Sequence, residues 1–307
     1  MRYKFIFLLV PILFIAACLQ TGQQQAGEGI TFDFLKNQPP IDNIYENQNF
    51  RVGLELKNYG PRDTRAYICV YDTVSDFFSG IPSNVCEQLT LTKAEKSGEN
   101  IFPEVKQVYF PSSSQTYFYK SVTKGMTTNI ITEVSYQYQT KATSQICIKK
   151  DASIETPNVP CDISSQEDLK QDPAPITVTN LRKDVFPLSN NQVQLLLTLD
   201  LQKQADGDVI DKKLLGASSF KQEDVETQLI DIGVNLRGIT SKFECNPNRG
   251  GRIVFKENQK PIKCEATINL KEDYIVNPVE ITLDYGFKTL KSAGLIPLIS
   301  KEEAKGE

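Results

Sequence analysis

Between Val193 and Leu201 every second residue is apolar: Val193, Leu195, Leu197, Leu199 and Leu201 alternate with Gln194, Leu196, Thr198 and Asp200. A period of two does not fit a helix, whose faces repeat every 3.6 residues, and it demands a strand with one buried face. The pattern recurs along the chain. Phe50, Val52, Leu54 and Leu56 alternate with Arg51, Gly53, Glu55 and Lys57 and run into the turn sequence Asn58-Tyr59-Gly60-Pro61. Ala66 to Tyr71 reads as a second strand, and Gln115 to Val122 as another through Tyr117, Phe118 and Tyr119. Ile130, Thr132, Val134, Tyr136 and Tyr138 form one face of a long strand, with Glu133, Ser135, Gln137 and Gln139 on the other and Ser144 to Ile148 as its continuation. Further strands are expected at Ile176 to Val178, Ile232 to Leu236, Arg252 to Phe255, Ile262 to Leu270 and Val279 to Tyr285. Only Ser219 to Ile230, with Val225, Leu229 and Ile230 at helical spacing, reads as a short helix inserted between strands.

Many short strands separated by turn residues predict an all-β chain of two tandem immunoglobulin-like β-sandwiches. Asp172-Pro173 and Ala174-Pro175 favour an extended connection, so the expected division is a first sandwich over residues 30–163, a linker over 164–175, a second sandwich over 176–290 and a tail over 291–307. The halves share a plan: an opening strand (Ile30 to Phe34, or Ile176 to Val178), a long alternating strand, and a late strand carrying tyrosine. They read as related modules.

The first residues add a compartment. Arg2 and Lys4 precede an apolar run from Phe5 to Ala17, too short to span a bilayer comfortably, so residues 1–17 read as a signal peptide. Ile15-Ala16-Ala17-Cys18 resembles the prokaryotic lipobox. That resemblance implies cleavage before Cys18, its acylation, and a protein held on the membrane outside the cytoplasm, in the cell envelope. Gln20 to Gly29 is rich in Gln and Gly, so residues 18–29 read as a flexible tether. With Cys18 lipidated, Cys69, Cys86, Cys147, Cys161, Cys245 and Cys264 remain. An even set in an exported chain reads as disulfides; of the 15 possible pairings, the neighbour pairs 69–86, 147–161 and 245–264 are preferred, because Cys245 and Cys264 flank an apparent hairpin.

Function classes narrow by exclusion. The chain has no histidine, which removes Ser-His-Asp and Cys-His catalysis and the commonest metal ligand, and it has no C-x-x-C. No metal or other cofactor is expected. The net charge is −4, and −6 without Arg2 and Lys4; with no basic run present, nucleic acid is not an expected partner. Paired carboxylates such as Asp273, Glu280 and Asp284 leave open a glycosidase. Tyr117, Phe118, Tyr119, Tyr136 and Tyr138 leave open a sugar-binding face, though aromatics in strands more often pack in cores. Asp206-Gly207-Asp208 reads as a turn rather than a calcium loop.

The segment Phe50 to Gly60, an alternating strand ending in Asn-x-Gly, resembles the start of CARDB-type and related immunoglobulin-like modules of prokaryotic surface proteins. The resemblance implies an extracellular sandwich used in adhesion or assembly and implies no catalytic residue. The expectation is therefore a non-enzymatic, lipid-anchored surface protein for binding, adhesion or envelope assembly, with a protein partner ahead of a glycan. The contact is expected at the apolar run through Leu295, Ile296, Leu298 and Ile299. The alternative is an envelope carbohydrate-binding protein or a carboxylate-dependent glycosidase.

Overall fold

Alternation uninterrupted by glycine or proline lets one segment, residues 127–149, run as a single strand of 23 residues. At about 3.3 Å per residue that is roughly 75 Å of extended chain. The structure is a computed structural model that describes residues 27–305 except 75, 84, 99, 151–165, 189–190, 217–227 and 247–250. In chain order the first half holds β1 (Ile30–Phe34), β2 (Ile44–Tyr45), β3 (Val52–Asn58), β4 (Thr64–Asp72), β5 (Val85–Leu91), β6 (Glu95–Ser97), β7 (Asn100–Phe102), β8 (Glu104–Phe110) and β9 (Thr127–Lys149). The second holds β10 (Lys170–Gln171), β11 (Ile176–Pro187), β12 (Gln192–Lys203), β13 (Asp208–Ile210), β14 (Leu229–Leu236), β15 (Glu244–Asn246), β16 (Arg252–Val254), β17 (Gln259–Asn269) and β18 (Tyr274–Ile299). The fold is all-β, built of antiparallel sheets with one parallel contact, β18 with β2.

Each half stacks an outer sheet on an inner one. The outer sheets are β1-β3-β8 in the first half and β11-β12-β17-β15 in the second. The inner strands are β5-β4-β9 and β18-β14-β16, and these are fused: β9 and β18 pair antiparallel from Tyr274 opposite Lys149 to Pro297 opposite Thr127. The halves expected as tandem modules are thus joined by a common inner sheet, and their buried apolar residues form one continuous cluster. The two halves follow a matching plan down to one hydrogen bond. Tyr136 of β9 accepts from the first amide of β1, Ile30 N–H at 3.0 Å, and Tyr285 of β18 accepts from the first amide of β11, Ile176 N–H at 3.0 Å. Gly29 passes so close to the Tyr136 hydroxyl that a Cβ there would lie 2.7 Å from it.

Several expectations change. The described part of the expected linker, residues 166–175, is built into the fold rather than strung between two bodies: β10 pairs with Thr143 and Ala142 of β9, the Glu167 amide donates to Leu181 O at 2.9 Å, and Lys183 forms a buried ion pair with Glu167. Gln115 to Val122 is not a strand. It is held by single bridges, Phe50 to Tyr117 and Ser79 to Tyr119, while the Tyr119 hydroxyl and the Thr128 hydroxyl both donate to Asp72. Leu229 and Ile230 belong to β14 and not to a helix; residues 219–227 of that expectation lie outside the described residues. Asp206-Gly207 does not close a hairpin, because it carries the chain from β12 of the outer sheet to β13, which pairs with β18.

Of the cysteines, Cys69–Cys86 joins facing residues of β4 and β5, and Cys245–Cys264 joins facing residues of β15 and β17. The chain between Cys245 and Cys264 is not a simple hairpin, since β16 leaves for the inner sheet. Cys147 is disulfide-bonded, and Cys161 and Cys18 lie outside the described residues.

Candidate functional site

Both outer sheets cover one face of the fused inner sheet, so the strand alternation turns the other face to solvent with a polar surface. On β18 the buried residues are Val279, Ile281, Leu283, Tyr285 and Phe287, and the opposite face carries Glu280, Thr282, Asp284 and Lys288. On β9 the matching polar positions are Glu133, Gln137, Gln139 and Lys141. Glu133 is pushed above the usual carboxylate range by burial, an effect that the nearby charge of Lys288 partly offsets.

A charge network crosses this face. Asp231 of β14 stands opposite Asp284 of β18 in register, a like-charge pair that would repel if left alone. Lys212, from the short 3-10 turn Lys212–Leu214, lies between them with its ammonium 2.8 Å from Asp231 and 2.5 Å from Asp284. Burial lowers the Lys212 pKa, but hydrogen bonds to Asp231 and Asp284 and their charges outweigh it, so the pKa is raised and the ammonium stays charged. Arg252 of β16 completes the network. Its Nη1 and Nη2 donate to both oxygens of Asp211 at 2.9 and 3.1 Å, and its Nε donates to Asp231 at 2.9 Å. Asp211 also caps the 3-10 turn by accepting from the Lys213 amide at 3.1 Å. This staple fixes the 211–215 segment over the sheet.

Beside it lies a groove of about 540 Å³ lined by Arg62, Arg65, Tyr67, Gln137, Gln139 and Lys212, among others. Its opposite wall, the loop after β3, is set by Asn58. That side chain is fully buried; its amide donates to Arg62 O (3.0 Å) and Thr92 O (2.7 Å), and its oxygen accepts from Gly60 N–H (2.9 Å). The Asn-x-Gly turn therefore builds the groove's rim. Asp63 on that rim accepts from the Lys93 amide at 2.9 Å. A smaller hollow of about 110 Å³ continues the groove, sharing Pro61, Arg62, Tyr138 and Gln139 and adding Lys141.

Residues singled out from sequence fall differently. Ile296 and Leu298 are buried at 0% and 1% exposure, while Leu295 is 75% exposed and Ile299 is partly buried. The run is a strand end that caps the first core, with Leu298 beside Ile44 and Ile299 beside Tyr45, and not an open apolar contact. The cause is a bulge between Ser292 and Leu295, where Gly294 adopts φ 89° and shifts the buried positions from odd to even. Glu280 pairs with Lys141 at 3.4 Å and Arg237 at 3.9 Å, and Asp284 is held by Lys212 and by Gln137 Nε2 at 2.8 Å. Tyr136 lies on the buried face, away from both, and Asp273 precedes β18 at the far end of the sheet. Of the aromatic set, Tyr117, Tyr119, Tyr136 and Tyr138 are buried and only Phe118 is exposed, so they form core and not a sugar-stacking face. Among the described residues no group of three or more Asp, Glu, His or Cys is placed to hold a metal ion. Arg62, Arg65, Asp211, Lys212, Asp231 and Arg252 were not singled out, since each is an ordinary surface charge until the topology gathers it.

No protein-family model matches the chain, and no curated protein matches it. The crystal structure of a DUF4466 family protein from Parabacteroides merdae aligns over 84% of this chain and 99% of its own, at 9% identity and a TM-score of 0.16. A likeness that weak carries no argument.

Proposed function

We propose that this is a lipid-anchored, non-enzymatic binding protein of a prokaryotic cell envelope, serving adhesion or envelope assembly and held outside the cytoplasm by an acylated Cys18. The observation that carries the reading is cysteine usage: Cys69, Cys86, Cys147, Cys245 and Cys264, all the described cysteines, are disulfide-bonded, which fits an exported chain. The lipobox-like Ile15 to Cys18 and the Gln-rich tether supply the anchor. The fused sheet supplies stiffness, and the polar groove supplies a preformed surface. Asp284, Asp211 and Glu280 near the groove are committed to ion pairs with Lys212, Arg252 and Lys141, and Asp63 on the rim accepts from the Lys93 amide, which favours recognition over acid–base chemistry.

Replacement of the acylated residue tests the anchor. The native chain, expressed with its signal, is expected in the membrane fraction and Cys18→Ala in the soluble envelope or medium; equal membrane retention of both would overturn the lipid-anchored reading.

A further inference from the structure

We infer that the groove binds a short stretch of carboxylate-bearing polysaccharide, the carboxylates on Arg62 and Arg65 and the hydroxyls on the amides of Gln137 and Gln139. This rests on the surface-binding reading and names its ligand class. Charge is the first argument. Lys212 is neutralised by Asp231 and Asp284, and the Asp63 carboxylate accepts from a backbone amide, whereas Arg62 and Arg65 have no side-chain hydrogen bond or ion pair among the described residues. Two exposed guanidiniums with open forks on an otherwise acidic chain are suited to planar anions, which they grip with two parallel hydrogen bonds.

The floor is the second argument. A protein partner's anchor side chain wants an apolar pocket. Here the lining is mostly polar or charged, with Thr90, Gln137, Gln139 and the partly buried Tyr67 beside Pro61, Tyr138 and Leu215. The Gln139 amide presents a donor and an acceptor side by side, the pairing that neighbouring sugar hydroxyls satisfy, while Gln137, whose Nε2 already donates to Asp284, keeps its carbonyl oxygen and a second N–H. Shape is the third. The groove continues into the hollow that shares Arg62; Lys141 there is paired with Glu280 and Asp172 also lines it, so the available cations are Arg62, at the junction of the two, and Arg65 in the groove, and the site suits one or two acidic units of a longer chain. Rigid walls, set by Asn58 on one side and the Arg252 staple on the other, lower the ordering cost of binding.

Calorimetric titration of the disulfide-intact mature protein with oligogalacturonate, its fully methyl-esterified form of equal length, and polyglutamate tests the inference. The acid form should bind, the ester at least about tenfold more weakly, and Arg62→Ala and Arg65→Ala should each lose roughly tenfold, the worth of one charge-assisted hydrogen bond. Lys263→Ala, an exposed charge on the outer sheet, should bind unchanged. Equal binding of acid and ester, polyglutamate binding as tightly as the saccharide, unchanged affinity in both arginine variants, or no binding at all would each overturn it. The surface reading is scored separately by acylation of Cys18: a silent titration with an acylated, membrane-bound chain removes the saccharide site alone.

Discussion

Buried aromatics concentrate in the first half, where Phe32, Phe50, Phe110, Tyr117, Tyr119, Tyr136 and Tyr138 pack beside aliphatics such as Leu54, Leu56 and Ile68. The second half packs Val193, Leu195, Leu197, Leu199 and Leu201 of β12 with Ile262 and Ile268 of β17 and has fewer buried aromatics, Phe255, Tyr285 and Phe287. The backbone differs in step. β12 and β17 are regular strands of 12 and 11 residues, and β11 has 12 with one irregularity between Val178 and Asn180, while the first half includes the irregular segment 111–126. A leucine contributes only packing, so its backbone must satisfy its own hydrogen bonds through the ladder. A tyrosine brings a hydroxyl that can satisfy irregular backbone or a polar partner inside a core. Tyr119 donates to Asp72 at 2.7 Å, and Asp72 also accepts from the amides of Val74 and Ile81. Tyr138 donates to Pro173 O at 2.7 Å. The comparison shows two balances on one shared sheet: the second half closes mainly by ladder with Tyr285 as its buried hydroxyl, and the first uses the hydroxyls of Tyr119, Tyr136 and Tyr138.

Alkali should separate the two most strongly. Burial, with the nearby charge of Glu133 or Glu87, pushes Tyr71 and Tyr117 up to about 12, and burial raises Tyr119, Tyr136, Tyr138 and Tyr285 as well. The unfolded phenol ionises near about 10. Folded-state values above the unfolded one mean that the stabilisation is full below pH of about 10 and is lost as pH rises toward about 12. Five of these six tyrosines belong to the first half, so the fold should fail there first. Phenolate absorbance and circular dichroism should change together; ionisation of all the tyrosines with the dichroism intact would break the comparison.

Smaller effects sharpen it at single residues. Leu197→Ala, at a fully buried position of β12, should cost about 3 kcal/mol in urea unfolding through lost burial and a cavity. Tyr136→Phe and Tyr285→Phe keep the rings and remove the acceptors of Ile30 and Ile176 N–H, together with the Tyr136 contact to Ile30 O and the Tyr285 contact to the Thr140 hydroxyl, so each should cost about 1–2 kcal/mol. If both Phe variants were as stable as the parent, the hydroxyls would not be what holds the opening strands.

This contrast also explains what could be read from sequence. The aliphatic half announced itself, because ladder-satisfied strands keep strict alternation: β12 covers the Val193 to Leu201 pattern closely. In the first half Tyr117, Phe118 and Tyr119 carry strand-like residue types, yet their backbone is held by bridges to Phe50 and Ser79 and the Tyr119 hydroxyl by Asp72, all from other segments, which local pattern does not register. At the C-terminus the apolar run hid its parity, since a bulge at Gly294 decides which residues face inward. The fusion of β9 to β18 and the gathering of Arg62, Arg65 and Lys212 depend on pairings between residues far apart in the chain. No spacing rule reaches that far. Asn58 was legible as a turn residue; its role in building the groove rim was not.

Intact mass spectrometry of the membrane-extracted mature protein, with and without reduction, tests the central claim most directly. The account predicts a chain beginning at acylated Cys18 that gains six hydrogens on reduction, two for each of three disulfides among the six remaining cysteines. An unacylated chain, or thiols already free before reduction, would contradict it.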